Sequence, residues 1–157
     1  MDVRPAEATE IEHLAKLWYD GWQDAHARLV PAELIRFRTL ESFRDRLRAA
    51  LPRVTVVGPS PRPVGFWIAK GGELYQLYVS AEARGSGVAA TLMADAEARL
   101  AEAGVEIAWL ECAVGNERAA RFYEKCGWRR AGTMVSQPDA ANGVSLEVWR
   151  YEKRLRP

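Results

Sequence analysis

The sequence predicts a single α/β domain over residues 1–157, with a mixed but mostly antiparallel sheet flanked by helices. Two observations support this fold class. Short runs rich in β-branched and aromatic residues alternate with longer segments whose apolar residues recur at helical spacing. The chain is also long enough for one sizeable core, and no repeat, low-complexity tract or linker divides it.

The first elements are a short strand within residues 1–5 and an amphipathic helix. Thr9 and Glu12 have the spacing of a capping box, so we expect Thr9 to be the N-cap of this helix. Gly21 is expected to loosen the end of the helix. Its apolar face consists of residues at helical spacing, namely Ile11, Leu14, Ala15, Trp18 and Trp22.

A second helical region follows over residues 31–51, and we expect a break near Thr39. Phe37, Leu40, Phe43 and Leu47 form its apolar stripe. Its arginines are interleaved with acidic residues, so we expect them to lie on a solvated face of mixed charge. These arginines are Arg36, Arg38, Arg44, Arg46 and Arg48.

The middle of the chain predicts an antiparallel meander. Strands are expected over residues 54–57, 64–70 and 73–79, with a proline-rich connector after the first and Gly71-Gly72 as a tight turn after the second.

The remaining elements alternate between helix and strand. Gly104 and Gly127 stand where a C′ glycine is expected after a helix. The predicted elements are a helix over 87–103, a strand over 106–113, a helix over 116–126 and strands over 128–135 and 144–151.

Composition excludes several classes of function. The formal net charge of +1 does not indicate a nucleic-acid or anionic-membrane partner. No apolar run has the ~20 residues of a membrane helix, and the first residues lack the apolar core of a signal peptide. Cys112 and Cys126 form no CxxC pair, so we expect two free thiols, no metal site and a cytoplasmic location. The preference for arginine over lysine, together with many alanines, suggests a bacterial source.

The segment before the predicted helix 87–103 has the properties of a phosphate-binding loop. A helix N-terminus offers unpaired N–H groups, and glycines let an anion approach the backbone closely. An arginine fork adds a permanent positive charge suited to phosphate oxygens. The segment predicts a pyrophosphate-binding loop over Arg84, Gly85, Ser86, Gly87, Val88 and Ala89.

Two other phosphate-binding motifs fit this segment less well. A Walker A loop requires a lysine that is absent here. A dinucleotide fingerprint is formally matched by Gly85, Gly87 and Ala90, with Glu106 as the later acid. However, that fingerprint should directly follow its strand in a parallel βαβ unit, whereas residues 80–84 intervene and the preceding strands are predicted to be antiparallel.

The segment resembles the acyl-CoA loop of the GCN5-related N-acetyltransferase (GNAT) family, whose pattern is Arg/Gln-x-x-Gly-x-Gly/Ala. A second stretch, residues 116–128, resembles the family pattern N-x-x-A-x-x-F-Y-x-x-x-G-F. The departures are small: Ala81 replaces a common proline, Ala89 replaces a glycine and Trp128 replaces a phenylalanine. The order of the predicted elements also matches the family fold along nearly the whole chain.

This resemblance implies a sheet that is splayed at its centre, with the pantetheine arm of acetyl-CoA between the two central strands. The strand residues Leu77, Tyr78 and Val79 are then expected to bind the cofactor, and the backbone of Leu77 and Val79 to meet the pantetheine and the thioester carbonyl. The loop from Arg84 to Ala89 would bind the pyrophosphate. No metal is implied.

The second motif implies two further roles. Asn116 is expected to place the pantetheine, to cap its helix, or both. Tyr123 is expected to be the general acid that protonates the departing CoA thiolate, because a phenol with an ordinary pKa of about 10 stays protonated at neutral pH. A core aromatic beside Phe122 is the alternative reading of Tyr123.

The acceptor side is less specified by the motifs. Glu73 is the first candidate for the general base, since strand alternation would place it on the face of Tyr75, Leu77 and Val79. Glu111 and His26 are the alternatives. In the family the acceptor pocket is built from the first helices and the late strands. The aromatic and histidine residues of those regions are Trp18, Tyr19, Trp22, His26 and Trp67, of which Trp18 and Trp22 also suit core packing.

The resemblance implies an N-acetyltransferase, a transferase that moves acetyl from acetyl-CoA to a primary amine of a small molecule or peptide by direct attack in a ternary complex. The alternatives are a non-catalytic acyl-CoA-binding or regulatory module and, less well supported, a dinucleotide-binding enzyme. The expected partner is an amine acceptor, without nucleic acid or membrane. Edge strands near the C-terminus could also pair two copies into a homodimer.

Overall fold

The computed structural model describes residues 2–155 and confirms the predicted α/β architecture, with helices on both faces of one sheet. The helices in the described part are α1 (Ile11–His26), α2 (Ala32–Phe37), α3 (Leu40–Ala50), α4 (Val88–Glu102) and α5 (Glu117–Lys125). The strands are β1 (Val3–Pro5), β2 (Val54–Val57), β3 (Gly65–Lys70), β4 (Glu73–Val79), β5 (Ile107–Ala113), β6 (Arg129–Asp139) and β7 (Val144–Arg154).

The sheet is mixed but mostly antiparallel, as predicted. Its strand order is β1-β2-β3-β4-β5-β7-β6. Strands β4 and β5 form the parallel junction at its centre, where the paired residues are Glu73 and Trp109. The Trp109 N–H donates to the Gly72 carbonyl at 3.1 Å at this junction. The two strands therefore meet at one end and diverge along the rest of their length, which confirms the expected splay.

A β-bulge in β4 gives a physical reason for this divergence. The adjacent β3 residues Ile68 and Ala69 pair with Gln76 and Leu74, so Tyr75 is an extra residue in β4. A bulge bends its strand and increases its local twist. Beyond Tyr75, β4 therefore follows β3 and turns away from β5.

The two faces of the sheet carry separate apolar cores. The first lies under α1, α2 and α3 and contains the fully buried Trp18, Phe43 and Phe66. The second lies under α4 and α5 and contains Leu92 and Met93. The centre of the sheet, where β4 and β5 separate, lies between these two cores.

The start of α1 differs from the prediction. Thr9 does not cap the helix. It lies in a 3₁₀ turn over Ala8–Glu10, and α1 begins at Ile11. The reciprocal cap is shifted to Glu7 and Glu10, where the Glu7 N–H donates to Glu10 Oε1 at 2.8 Å. The Glu10 carboxylate is fully buried and accepts two hydrogen bonds from Arg4, at 3.1 and 2.6 Å, which fixes it at this position.

Gly21 was also predicted wrongly, because α1 continues past it to His26. Its lack of a side chain makes room for Tyr78 of β4. A Cβ at Gly21 would lie 2.7 Å from Tyr78 Cδ1, closer than side chains pack. The glycine is therefore a packing requirement between helix and sheet.

Other boundaries agree with the predictions or differ at the ends. The break near Thr39 is confirmed, since Thr39 Oγ1 accepts from the Ser42 N–H at 3.1 Å and caps α3. Strands β6 and β7 extend further than expected, so Pro138, which lies between the predicted strands 128–135 and 144–151, belongs to β6. Of the predicted first strand, Met1 lies outside the described residues and Val3–Pro5 are confirmed.

Candidate functional site

A cavity of about 1140 Å³ opens where β4 and β5 separate. With the exception of Ser86, every residue that the sequence assigned to catalysis or cofactor binding lines it. These lining residues are Glu73, Leu77, Tyr78, Val79, Arg84, Gly85, Gly87, Val88, Ala89, Asn116 and Tyr123.

The β4 edge of the cavity carries free backbone groups. The Ser80 N–H donates to the Val64 carbonyl at 2.8 Å, so the even-numbered residues of this part of β4 bond to β3. Alternation then turns the N–H and C=O groups of Leu77 and Val79 towards the gap. An extended ligand arm could pair with this edge as an additional strand would.

The loop before α4 is shaped by positive backbone angles. Gly85 has φ 79° and Gly87 has φ 86°, in the left-handed region that favours glycine. A Cβ at either position would meet nothing within 4 Å. The glycines are therefore needed for backbone geometry, and the space beside them is open.

This loop also presents unpaired donors. The first backbone hydrogen bond of α4 runs from Thr91 to the Gly87 carbonyl. Within residues 2–155, the N–H groups of Val88, Ala89 and Ala90 have no backbone acceptor. Unpaired N–H groups at the positive end of a helix dipole form an anion site.

Two arginines beside this loop share one carboxylate. Arg84 and Arg118 both donate to Asp24 Oδ2 of α1, at 2.9 and 3.1 Å. These bonds lower the pKa of the Asp24 carboxyl, with Arg118 as the larger cause. Ser86 instead turns its hydroxyl to the Ala83 carbonyl. No local motif distinguishes Asp24 from a surface residue of α1, so its place beside the loop was not predicted.

Helix α5 brings its two motif residues to the opposite wall of the cavity. Asn116 is the N-cap of α5, and its Oδ1 accepts from the Ala119 N–H at 3.4 Å. Tyr123 packs against Phe122 and Tyr151, with ring centroids 5.8 Å away in both cases. Burial raises the pKa of the Tyr123 phenol, so the hydroxyl keeps its proton at neutral pH.

The bulge changes the position expected for Glu73. Leu77 and Val79 pack with the core under α4, whereas Tyr75 packs with the core under α1. Glu73 lies two residues before Tyr75 and shares its face, so the expectation that Glu73 would lie on the face of Leu77 and Val79 is wrong. The extra residue at Tyr75 reverses the alternation.

The Glu73 carboxyl has an unusual acidity for its type. Burial is the main cause, and the nearby Glu111 carboxylate adds to it, raising the pKa of Glu73 from 4.5 to about 7. Lys70 and Arg150 act in the opposite direction. A carboxyl with a pKa near neutrality exchanges protons readily at physiological pH.

The aromatic residues expected around the acceptor pocket divide between the two faces. Trp22 and His26 line the cavity. Burial lowers the pKa of His26 to about 4, so its imidazole is neutral and weakly basic at pH 7. Trp18 is buried in the first core. Trp67 lies on the other face, where its Nε1 donates to Asp95 of α4 at 3.0 Å.

The expectation that the arginines of residues 31–51 all lie on a solvated face of mixed charge is only partly met. Arg44 and Arg48 make exposed ion pairs on the predicted mixed-charge face. Arg38 and Arg46 line the cavity instead. Arg46 follows Phe43 by three residues and therefore falls on the apolar stripe of α3, and this spacing is the sequence signal for its position in the cavity.

A family model described as the acetyltransferase (GNAT) family matches residues 11–128. No curated protein sequence matches the chain significantly.

No helix within the described residues has the length and apolar character needed to cross a membrane.

Solved structures resemble the chain over nearly its whole length. A GCN5-related N-acetyltransferase (aminotransferase, class II) from Rhodopseudomonas palustris has 21% identity and a TM-score of 0.76, with 98% of this chain and 94% of that chain covered. YjaB from Escherichia coli, in its apo form, has 25% identity and a TM-score of 0.71, with 96% and 95% covered. The PaiA N-acetyltransferase from Thermoplasma acidophilum, in complex with coenzyme A, has 20% identity and a TM-score of 0.66, with 98% of each chain covered.

Proposed function

The chain belongs to the GNAT family of acetyltransferases, and from this premise we propose that it transfers acetyl from acetyl-CoA to a primary amine of a small molecule or peptide. The amine would attack the thioester directly while both substrates are bound. The observation that carries the proposal is the single cavity that joins an anion-binding loop, a free strand edge and a buried carboxyl of near-neutral pKa.

The cofactor side of the cavity suits acetyl-CoA. The pyrophosphate would accept hydrogen bonds from the unpaired N–H groups at the start of α4, beside Gly85 and Gly87. Arg84 would exchange the Asp24 carboxylate for a phosphate oxygen. The pantetheine arm would pair with the free backbone edge at Leu77 and Val79, as an added strand does. The coenzyme A complex of the PaiA acetyltransferase supports this choice of ligand.

Two groups would handle protons on opposite sides of the reacting carbonyl. Glu73 would accept, directly or through water, the proton that the ammonium group must lose before the resulting neutral amine can attack. A backbone N–H at the β4 edge would stabilise the oxyanion that forms on the thioester carbonyl. As the C–S bond breaks, Tyr123 would donate its phenolic proton to the thiolate of CoA. The nitrogen of the intermediate would give up its second proton to the Tyr123 phenolate through water, and the products would be an amide, free CoA and a protonated Glu73 that releases its proton to solvent.

Two measurements test the proposal. Acetyl-CoA is expected to raise the thermal unfolding midpoint of the purified chain by several degrees, whereas NAD is not. A screen of amines at saturating acetyl-CoA should then release free CoA with at least one acceptor class. A midpoint shift without turnover on any amine would favour a non-catalytic acyl-CoA-binding module. The absence of any shift at millimolar acetyl-CoA would overturn both.

A further inference from the structure

Two arginines on the acceptor side of the cavity lack the partners that buried charges normally have. Arg38 is only 8% exposed, and its Nη2 donates to the Pro138 carbonyl of β6 at 2.6 Å. The Arg46 Nη2 donates to the Tyr75 hydroxyl at 2.8 Å, and its guanidinium carbon lies 4.3 Å from the centre of the Trp18 ring. Both arginines line the cavity.

Neither guanidinium is neutralised. Among the residues that the structure describes, no carboxylate oxygen lies within 4.0 Å of Arg38 or Arg46, and Arg46 Nη1 is buried without an acceptor. Asp139 attracts Arg38 only from a longer distance. Burial lowers the pKa of Arg38, and the repulsion from Arg46 adds to this effect.

Arg38 is buried, and Arg46 is partly buried with its Nη1 atom enclosed, so holding these two unpaired positive charges costs free energy. A buried charge is normally paired, since desolvation is otherwise uncompensated. Neutral partners such as the Pro138 carbonyl and the Tyr75 hydroxyl orient the guanidinium groups but do not cancel their charge. An anion bound in the cavity would supply the missing charge and the missing acceptors.

We propose that Arg38 and Arg46 bind an oxyanion, carboxylate or phosphate, that the amine acceptor itself carries. This inference rests on the proposed acetyl transfer, and it narrows the acceptor to amines that also bear an acidic group. The two ends of such a molecule have complementary partners here. Its ammonium group faces the acidic Glu73 and Glu111, and its oxyanion faces the arginines.

The position of Tyr75 connects these two ends. Tyr75 shares the face of Glu73, two residues along the strand, and its hydroxyl accepts from Arg46. Two residues of a strand span roughly 6.5 Å, so the acidic and basic parts of the cavity lie within reach of one small molecule. Lys70, whose Nζ lies 3.7 Å from the centre of the Tyr75 ring, adds a further positive charge on this side.

The test compares matched amines at saturating acetyl-CoA. The series contains ω-amino carboxylates of increasing length, the corresponding neutral amides, aminoalkyl phosphates and plain alkylamines. The wild-type chain should acetylate the best anionic amine with kcat/KM roughly 10- to 100-fold above its neutral counterpart, because charge-assisted hydrogen bonds are made to the anion only. The carboxylate and phosphate arms identify which oxyanion the site prefers.

Three variants locate the effect. Arg46→Met should remove most of this preference, measured as the ratio of kcat/KM for the anionic amine to kcat/KM for its neutral counterpart, since methionine keeps the apolar stem that packs on Trp18 but has no donor for the anion. Arg46→Lys keeps the charge without the planar fork, and it should keep an intermediate preference. Arg48→Met is the matched control, because Arg48 lies on the same helix and forms an ion pair with the exposed Asp45.

The outcomes separate this inference from the proposed function. Acetylation of neutral amines as fast as anionic ones by the wild-type chain would overturn the inference and leave acetyl transfer intact. If no amine were acetylated, thermal shift would decide. An increase in the unfolding midpoint with the anionic amines, lost in Arg46→Met and kept in Arg48→Met, would support the anion site although acetyl transfer had failed. No increase would overturn both.

Discussion

The acidity of Glu73 leads to the most specific prediction for this site. Its carboxyl has a pKa of about 7 in the folded chain, against an ordinary value of 4.5. If Glu73 accepts the proton of the amine, kcat/KM should fall about tenfold per pH unit below pH 7. The ratio of the variant rate to the wild-type rate with one amine isolates the ionisation of Glu73, because the ionisation of the amine affects both rates equally and cancels from the ratio.

Two isosteric substitutions separate the base from its neighbour. Glu73→Gln should lower kcat/KM by roughly 10²- to 10⁴-fold and remove the acidic limb that belongs to the carboxyl. Glu111→Gln removes the second cause of the raised pKa, after burial. It should move the limb towards lower pH and keep most of the activity.

Stability offers an independent measure of the same pKa. Because the folded pKa of Glu73 lies above the unfolded value, the folded state retains a proton that the unfolded chain loses between pH 4.5 and about 7. The favourable contribution of protonated Glu73 is therefore lost as the pH rises through this window. At about 1.36 kcal/mol per pKa unit, the wild type should lose at most ~3.4 kcal/mol relative to Glu73→Gln.

The assay is urea unfolding of wild type and Glu73→Gln at a series of pH values from 4 to 8, beside steady-state release of CoA over the accessible range. Glu111→Gln serves as the control, since it should shift the acidic limb without removing it. A constant difference in unfolding free energy across this range, together with an unchanged acidic limb in Glu73→Gln, would refute both the raised pKa and the role as base.

Three further substitutions test other parts of the structure. Tyr123→Phe should lower kcat more than tenfold and leave the calorimetric affinity for acetyl-CoA nearly unchanged, because only the donor to sulfur is lost; normal turnover would contradict its role as acid. Gly87→Ala places a residue with a Cβ atom at a left-handed backbone conformation, so the free energy of unfolding should fall by about 1 kcal/mol. Its affinity for acetyl-CoA should fall severalfold, and an unaltered affinity would argue against the loop as the phosphate site. Glu10→Gln leaves Arg4 without its buried carboxylate and should reduce unfolding free energy by roughly 2–4 kcal/mol. A loss below 0.5 kcal/mol in urea unfolding would show that the pair contributes little.

The elements beside the candidate site could be predicted because their signals are local. The glycines at 85 and 87 mark positive φ angles, and a helix start is recognisable from the residues that follow it. Asn116 has the side chain that an N-cap needs, and the N–H group that donates to it belongs to Ala119, three residues further along the chain. In both cases the physical cause lies within a few residues of the chain, so the pattern and the structure agree.

The wrong predictions, in contrast, depend on contacts between residues that are distant in the sequence. No periodicity distinguishes Tyr75 as an extra residue in β4, because the bulge exists only relative to the register of β3. The face of Glu73 followed from that register and was therefore predicted wrongly. Gly21 was assigned to the end of α1, but the side chain that it accommodates, Tyr78, lies 57 positions further along the chain.

The sequence by itself determined the order of helices and strands, the membership of an acetyltransferase family and the loop that presents unpaired N–H groups to an anion. These depend on interactions between near neighbours in the chain. Only the tertiary structure decided that burial and Glu111 together raise the pKa of Glu73. It also decided that Arg38 and Arg46 line one cavity with no carboxylate of the described residues within ion-pair distance of either. Electrostatic coupling and desolvation depend on distance and burial in space, and residues on different strands and helices acquire both only when the chain is folded.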